Sequence, residues 1–316
     1  MTGLYPYAEP HARGWLPRGL HRLYYEESGN PRGRPVIVLH GGPGSGSNPT
    51  SRGFFDPAFY RVVLFDQRGC GQSTPLGAVQ ENSLPFLLED MEALRAHLGV
   101  ERWLVCGGSW GATLALAYAR AHPSACAGLL LRGVFLGTEE EIHWYLQGLA
   151  RFLPDAWEAF SRAVPGEESL LERYHRALHG TNRNLALAAA RAWEAYERRA
   201  MGLVDPVSSE PPPPPEKLLA KARIQTHYLV HGCFLDPGGL LRGVPDIRHL
   251  PCTLVQGRLD LICPPVAAFQ LKAAWPEARL ILVEGGGHSA GSPAMGQAML
   301  AAGEAFKARL ESPTCA

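Results

Sequence analysis

Five residues, Gly107-Gly108-Ser109-Trp110-Gly111, set a serine hydroxyl in a frame of glycines. A G-x-S-x-G pattern between a strand and a helix is the elbow that presents a nucleophilic serine. The apolar run Trp103 to Cys106 before it reads as a buried strand, and Ala112 to Ala121 after it as a helix. So tight a turn strains the serine backbone, and a Cβ at the flanking glycines would clash. The helix aims its N-terminus at the serine, where an acyl-transfer transition state gathers negative charge.

A serine hydroxyl is a poor nucleophile until a base takes its proton, and that base needs an acid to orient it. Both candidates follow in the order Ser, Asp, His. Asp260 stands in Gly257-Arg258-Leu259-Asp260, just past an apolar run ending at Val255. His288 stands in Gly285-Gly286-Gly287-His288-Ser289, just past a run ending at Val283. All three therefore emerge at the C-terminal ends of strands, on one edge of a sheet. His40-Gly41-Gly42-Pro43-Gly44 also follows a strand and has the glycines that close backbone approach requires. Its Gly42 N–H and the Trp110 N–H are the candidate oxyanion donors.

The elements that must hold these residues read as an α/β sheet. Val36 to Leu39, Arg61 to Phe65, Trp103 to Cys106, Gly128 to Leu131, Thr253 to Val255 and Leu280 to Val283 are short apolar runs. Lacking clean alternation, they suit parallel strands covered on both faces. Ser83 to Leu98, Ala112 to Ala121, Pro265 to Ala274 and Ala294 to Leu310 read as helices, and His21 to Glu27 as an antiparallel edge strand. From Leu136 to Gly243 strand-like runs vanish and helical patterns such as Glu139 to Phe152 and Asn184 to Ala200 take over. Within this stretch the five prolines Pro211 to Pro215 predict an extended segment. The expected organisation is a core over 1–135 and 244–316, with a helical cap, 136–243, inserted over the binding edge of the sheet.

The 316 residues carry 30 basic and 30 acidic side chains, which gives no basic stripe for nucleic acid. No run of about 18 apolar residues suggests a membrane span, and Met1 to Leu20 lacks the pattern of a signal peptide. The seven cysteines, Cys70, Cys106, Cys126, Cys233, Cys252, Cys263 and Cys315, show no C-x-x-C spacing. They read as free thiols of a reduced cytoplasm, with neither a metal nor a cofactor called for.

His40 to Gly44, Asp66-Gln67-Arg68-Gly69-Cys70-Gly71, Gly107 to Gly111 and Gly257 to Pro264 together resemble the prolyl aminopeptidases, or proline iminopeptidases, from about residue 14 to 310. The resemblance implies an α/β-hydrolase fold and release of N-terminal proline from small peptides, with cap carboxylates binding the free amine. Glu197, in Trp193-Glu194-Ala195-Tyr196-Glu197, falls at one such carboxylate. The second is replaced: where the family has A-R-I-E-x-H-Y, this chain has Ala222-Arg223-Ile224-Gln225-Thr226-His227-Tyr228. Gln225 accepts a hydrogen bond without charge, which weakens the hold on a protonated amine. Phe135, Tyr145 and Cys263 fall at the family's proline-ring pocket, with Trp110 beside the nucleophile and Leu229 in place of a phenylalanine. Asp66 and Arg68 read as loop-bracing charges.

Two other readings use the same residues. Gln225 and Leu229 favour a broader aminopeptidase, amidase or esterase. A non-catalytic ligand-binding protein on this fold is disfavoured by the intact Ser109, Asp260 and His288. An epoxide hydrolase or dehalogenase would want a carboxylate where Ser109 stands.

Overall fold

The computed structural model describes residues 3–6, 9–205 and 213–311. Eight strands form one sheet: β1 (Ala12–Arg18), β2 (His21–Gly29), β3 (Arg34–Leu39), β4 (Tyr60–Phe65), β5 (Trp103–Ser109), β6 (Cys126–Val134), β7 (Cys252–Gly257) and β8 (Arg279–Val283). Their spatial order is β1-β2-β4-β3-β5-β6-β7-β8. Every pairing from β4 to β8 is parallel, while β2 pairs antiparallel with both β1 and β4.

The apolar runs lack alternation because both faces are covered, and two separate side-chain clusters record this. Ile37, Leu39, Val63, Phe65, Val105, Leu129 and Leu131 pack on one face with α1 (Leu84–His97), α2 (Trp110–Ala121) and α10 (Pro265–Ala274). Val36, Val38, Val62, Leu64, Cys106 and Leu130 pack on the other with Phe54, Phe55 and α11 (Pro293–Glu311). Successive residues of one strand thus feed opposite cores, as a pleated backbone requires.

Segment His21 to Glu27 is antiparallel as expected, but it is not the edge. That place belongs to β1, whose residues alternate between half-buried and exposed and include Pro17. An edge strand tolerates proline and half-burial, so β1 carries no apolar run to betray it.

Among the described residues seven α-helices lie between β6 and β7: α3 (Glu139–Leu146), α4 (Pro154–Arg162), α5 (Leu170–His179), α6 (Arg183–Met201), α7 (Pro215–Val230), α8 (Gly239–Arg242) and α9 (Val244–Ile247). The helix expected over Glu139 to Phe152 stops at Leu146, and a 3-10 turn follows over Gly148–Arg151. Of the five prolines, Pro211 and Pro212 lie outside the described residues. Pro213 and Pro214 precede α7, and Pro215 opens it. The expectation of an extended run fails at Pro215, because a first helical residue needs no N–H partner and proline's φ is already helical. The helices gather around an aromatic centre: Phe160 stacks on Tyr196 at 4.3 Å and on Tyr174 at 4.5 Å between centroids. Trp193 meets Phe160 and Tyr174 edge-on. Among the described residues no helix is long and apolar enough to cross a membrane, and the six described cysteines are free and buried. Cys315 lies outside the described residues.

Four imidazoles line the seam between α5 and α7. His175 and His179 are 4.2 Å apart between ring centroids, His227 and His231 are 4.8 Å apart, and the pairs approach to 6.4 and 6.5 Å. His227 Nε2 donates to the Asn82 carbonyl at 2.8 Å, tying α7 to the core, and His179 Nε2 to the Arg223 carbonyl at 3.3 Å. Burial, then the neighbouring imidazoles, hold His175 and His227 below the usual histidine range; burial and His175 pull His179 down to about 4. A histidine depressed in the fold is neutral there, while the unfolded chain takes up protons below about 6.5, so stability falls as pH drops from there toward 4. The thermal midpoint is expected to decline through that window. His179→Gln should flatten the decline, as measured by melting at a series of pH values.

Candidate active site

Ser109 closes β5 with φ 56° and ψ −124°, and Trp110 opens α2 directly after it. Non-glycine residues seldom occupy this left-handed region, and such strain collects where function needs it. Glycine permits the turn in a specific way. A Cβ at Gly107 would strike the Gly111 carbonyl, and one at Gly111 would strike the Leu39 carbonyl at the end of β3. Three backbones therefore meet with no room for a side chain.

The His40 to Gly44 loop lies against this elbow. A Cβ on Gly41 would stand 3.1 Å from the Gly108 oxygen and 3.3 Å from Ser109 Cβ. Gly42 has φ +114°. One residue of the Asp66 to Gly71 motif that the sequence gives no separate role, Gln67, fastens the loop. Its Nε2 donates to the His40 carbonyl at 2.9 Å, its Oε1 accepts from Trp110 Nε1 at 2.8 Å, and its main-chain N–H donates to His40 Nε2 at 3.1 Å. Burial keeps His40 below the usual histidine range, which suits a neutral ring accepting at Nε2. The Trp110 indole is thereby fully buried against Tyr228, and Trp110 is not among the residues that line the cavity around Ser109. As the first residue of α2, Trp110 has a main-chain N–H outside the helix's own ladder.

Asp66 and Arg68 brace the loops, as expected from sequence. Asp66 accepts from Ser47 and Gln72, and Arg68 grips Asp90 through two bonds of 2.6 and 2.8 Å.

Asp260 and His288 meet at the ends of β7 and β8. His288 Nδ1 lies 2.8 Å from Asp260 Oδ2 and 3.0 Å from Oδ1. Oδ1 also accepts from the N–H groups of Ile262 and Cys263 at 3.0 and 2.8 Å, so the buried carboxylate is hydrogen-bonded from two sides. Arg132 holds the His288 carbonyl, and Gly133, at φ +52°, leaves space where a Cβ would be 3.1 Å from Asp260 Oδ2. Ser109 Oγ is turned to Cys263 Sγ at 3.7 Å, while His288 lines the same cavity. Burial pushes the Cys263 thiol well above its usual range, so it is a neutral neighbour.

That cavity, of about 520 Å³, runs from Ser109 and His288 to the inserted helices. Gly42, Phe135, Tyr145, Glu197, Gln225, Leu229 and Cys263 all line it, so the structure brings the sequence-derived pocket residues together. Asp260 stands behind His288 and does not reach it.

The far end differs from the sequence expectation. Glu197 is already occupied: Lys221 Nζ donates to its Oε1 at 2.6 Å, and Gln225 Nε2 and Tyr145 Oη donate to its Oε2 at 2.9 and 3.2 Å. Gln225, expected to accept, instead donates here and to the Gly42 carbonyl at 3.3 Å. Burial alone would raise the Glu197 carboxyl, but the Lys221 ammonium and these hydrogen bonds outweigh it and hold the group below the usual range. Lys221 also donates to Glu194 Oε2 at 2.9 Å. Sequence reasoning passed over Lys221 and Glu194. Their signal was helical spacing: Glu194 and Glu197 stand i,i+3 on one face, and Lys221 and Gln225 stand i,i+4 on another.

The known proteins this chain resembles agree with the fold. Residues 34–292 match the alpha/beta hydrolase fold family. A proline iminopeptidase from Arabidopsis thaliana is 46% identical over 312 residues, covering 96% of this chain and 82% of that protein. Another, from Xanthomonas citri, is 45% identical over 313 residues, covering 97% of this chain and 100% of that protein.

The chain belongs to the proline iminopeptidase family of α/β hydrolases.

It is a hydrolase. The crystal structure of a Mycobacterium smegmatis proline iminopeptidase, 21% identical, superimposes with a TM-score of 0.63 over 94% of this chain and 98% of that one, a likeness of fold. Within this hydrolase the elbow depends on backbone contact. Gly111→Ala is expected to cost about 1–3 kcal/mol of stability by overpacking against the Leu39 carbonyl, read from urea unfolding.

Proposed function

We propose that this hydrolase is a serine exopeptidase that releases N-terminal proline from small peptides through a prolyl-enzyme intermediate. The observation that carries the reading is Ser109, strained at the elbow, sharing a cavity wall with a His288 whose Nδ1 is 2.8 Å from Asp260. The names of the relatives supply the prolyl specificity.

In this reading His288 takes the Ser109 proton as Oγ attacks the prolyl carbonyl. Asp260 fixes the tautomer with its proton on Nδ1, leaving Nε2 as the base, and stabilises the imidazolium. The N–H groups of Gly42 and Trp110 receive the oxyanion. His288 then protonates the leaving amine, and water hydrolyses the acyl-enzyme. Phe135, Tyr145, Leu229 and Cys263 give the prolyl ring an apolar seat, and Glu197 and Gln225 form the amine end. The helical segment 136–243 acts as the cap that closes this pocket. Six buried free thiols support a reducing cytoplasm as its compartment.

The second reading, a broader aminopeptidase, amidase or esterase, is favoured by one observation: Glu197 is neutralised by Lys221. The deciding experiment compares kcat/KM for prolyl-, alanyl- and N-acetylprolyl-naphthylamide. A marked preference for the free prolyl substrate supports the exopeptidase, and equal use of all three supports the broader enzyme. Ser109→Ala should lower kcat by about three or more orders of magnitude. Asp260→Asn should lower it by about four, by reversing the tautomer. Each is read in steady-state turnover alongside fluorophosphonate labelling.

A further inference from the structure

The amine end of the cavity is electrically closed. Glu194 and Glu197 contribute two negative charges, against which stand Lys221, at 2.9 and 2.6 Å, and Arg198, 3.7 Å from Glu194. Two carboxylates meet two cations, so no net charge is left for a ligand. Both oxygens of Glu197 already accept, from three donors in all. A protonated prolyl nitrogen, which has only donors and a positive charge, would have to displace Lys221 from that carboxylate.

What the end does offer is a neutral acceptor beside a donor. The orientation of the Gln225 amide is fixed by chemistry, because its Nε2 faces a carboxylate and a carbonyl, which can only accept. Its Oε1 is therefore the remaining atom, out of reach of solvent and without a hydrogen-bond partner, on a residue that is 4% exposed and lines the cavity, so a ligand meets it after a small turn of this side chain. A buried acceptor left unpaired is costly, and an N–H that reaches it recovers that cost. Lys221, one turn earlier on α7, has two of its three N–H groups committed to Glu194 and Glu197.

We propose that the same site hydrolyses amides of 5-oxoproline, with Lys221 and Gln225 as its specificity-determining residues. A 5-oxoprolyl group has the ring size of proline and an uncharged nitrogen. Its lactam N–H complements Gln225 Oε1, and its ring carbonyl complements the third N–H of Lys221. The inference rests on the reading of Ser109 as nucleophile and of the cavity as a prolyl-ring seat. The bond changes are those of acyl transfer. Ser109 Oγ bonds to the exocyclic acyl carbon, and the carbon–nitrogen bond to the leaving amine breaks. His288 carries the serine proton to that amine. Water then replaces Ser109 on the acyl carbon, releasing free 5-oxoproline and restoring the hydroxyl.

The test measures kcat and KM on the full chain for 5-oxoprolyl- and prolyl-naphthylamide, in the wild type, Lys221→Met and Gln225→Glu. The wild type is expected to use the 5-oxoprolyl amide with a kcat/KM within about tenfold of the prolyl amide, or above it. Both substitutions should shift the preference toward prolyl by at least about tenfold, chiefly through KM, since each adds net negative charge at the amine end. A wild type more than about tenfold poorer on the 5-oxoprolyl amide, with prolyl turnover intact, overturns the inference and leaves the exopeptidase reading standing. So does an unchanged preference in folded variants. Turnover of neither amide, with fluorophosphonate still labelling Ser109, overturns the prolyl-pocket reading and this inference with it.

Discussion

The site depends on a steric constraint before any charge is considered: at the end of β5 three backbones meet without a Cβ between them. Gly107 faces the Gly111 carbonyl, and Gly111 faces Leu39. Only this contact lets β5 end in a residue at φ 56° and α2 begin at once. The turn raises the serine at the strand end, and the helix start sets free N–H groups beside it. The parallel register then brings the ends of β3, β7 and β8 to the same edge, so Asp260, His288 and the His40 to Gly44 loop arrive by topology.

Charge is handled differently at the cavity's two ends. Near Ser109 the buried Asp260 is satisfied by two N–H groups and one imidazole, a small set aimed at a single ring. At the far end two carboxylates, Lys221 and Arg198 neutralise one another in a compact cluster. Burying such a cluster is tolerable because each charge has a partner, whereas an unpaired carboxylate there would be driven toward its neutral form. In the proposed reading, selectivity at that end comes from hydrogen-bond pattern more than from net charge.

How much of this was legible in sequence follows from the range of each interaction. The elbow, Asp260 and His288 were readable because each stands a few residues beyond its own apolar run, so local order encodes sheet-edge placement. The parallel strands were readable for the same reason. The outermost strand β1 was not, since an edge strand buries too little to leave an apolar run. Pro215 was misread because composition describes a run, while a helix start is decided at one position. The occupant of Glu197 was invisible for a deeper reason: Lys221 is 24 residues away, and which face of α7 meets which face of α6 is settled by tertiary packing. Gln67 was hidden in the same way, as a polar residue between two charges whose three bonds all reach distant chain.

Helix α7 serves two masters. Through Gln225 it holds the Gly42 carbonyl, and a Cβ on Gly44 would strike its Lys221 carbonyl at 2.9 Å, so it buttresses the loop beside the nucleophile. The same turn of helix carries Lys221 and Gln225, the side chains proposed to meet the substrate's nitrogen. In that proposal recognition and rate are mechanically geared: a shift of α7 that admits a different first residue also moves the Gly42 to Gly44 loop that α7 buttresses. On the proposed roles such a helix constrains adaptation, because specificity would drift only along paths that leave the loop in place. Side-chain exchanges at Lys221 and Gln225 are such paths, and displacement of the helix is not.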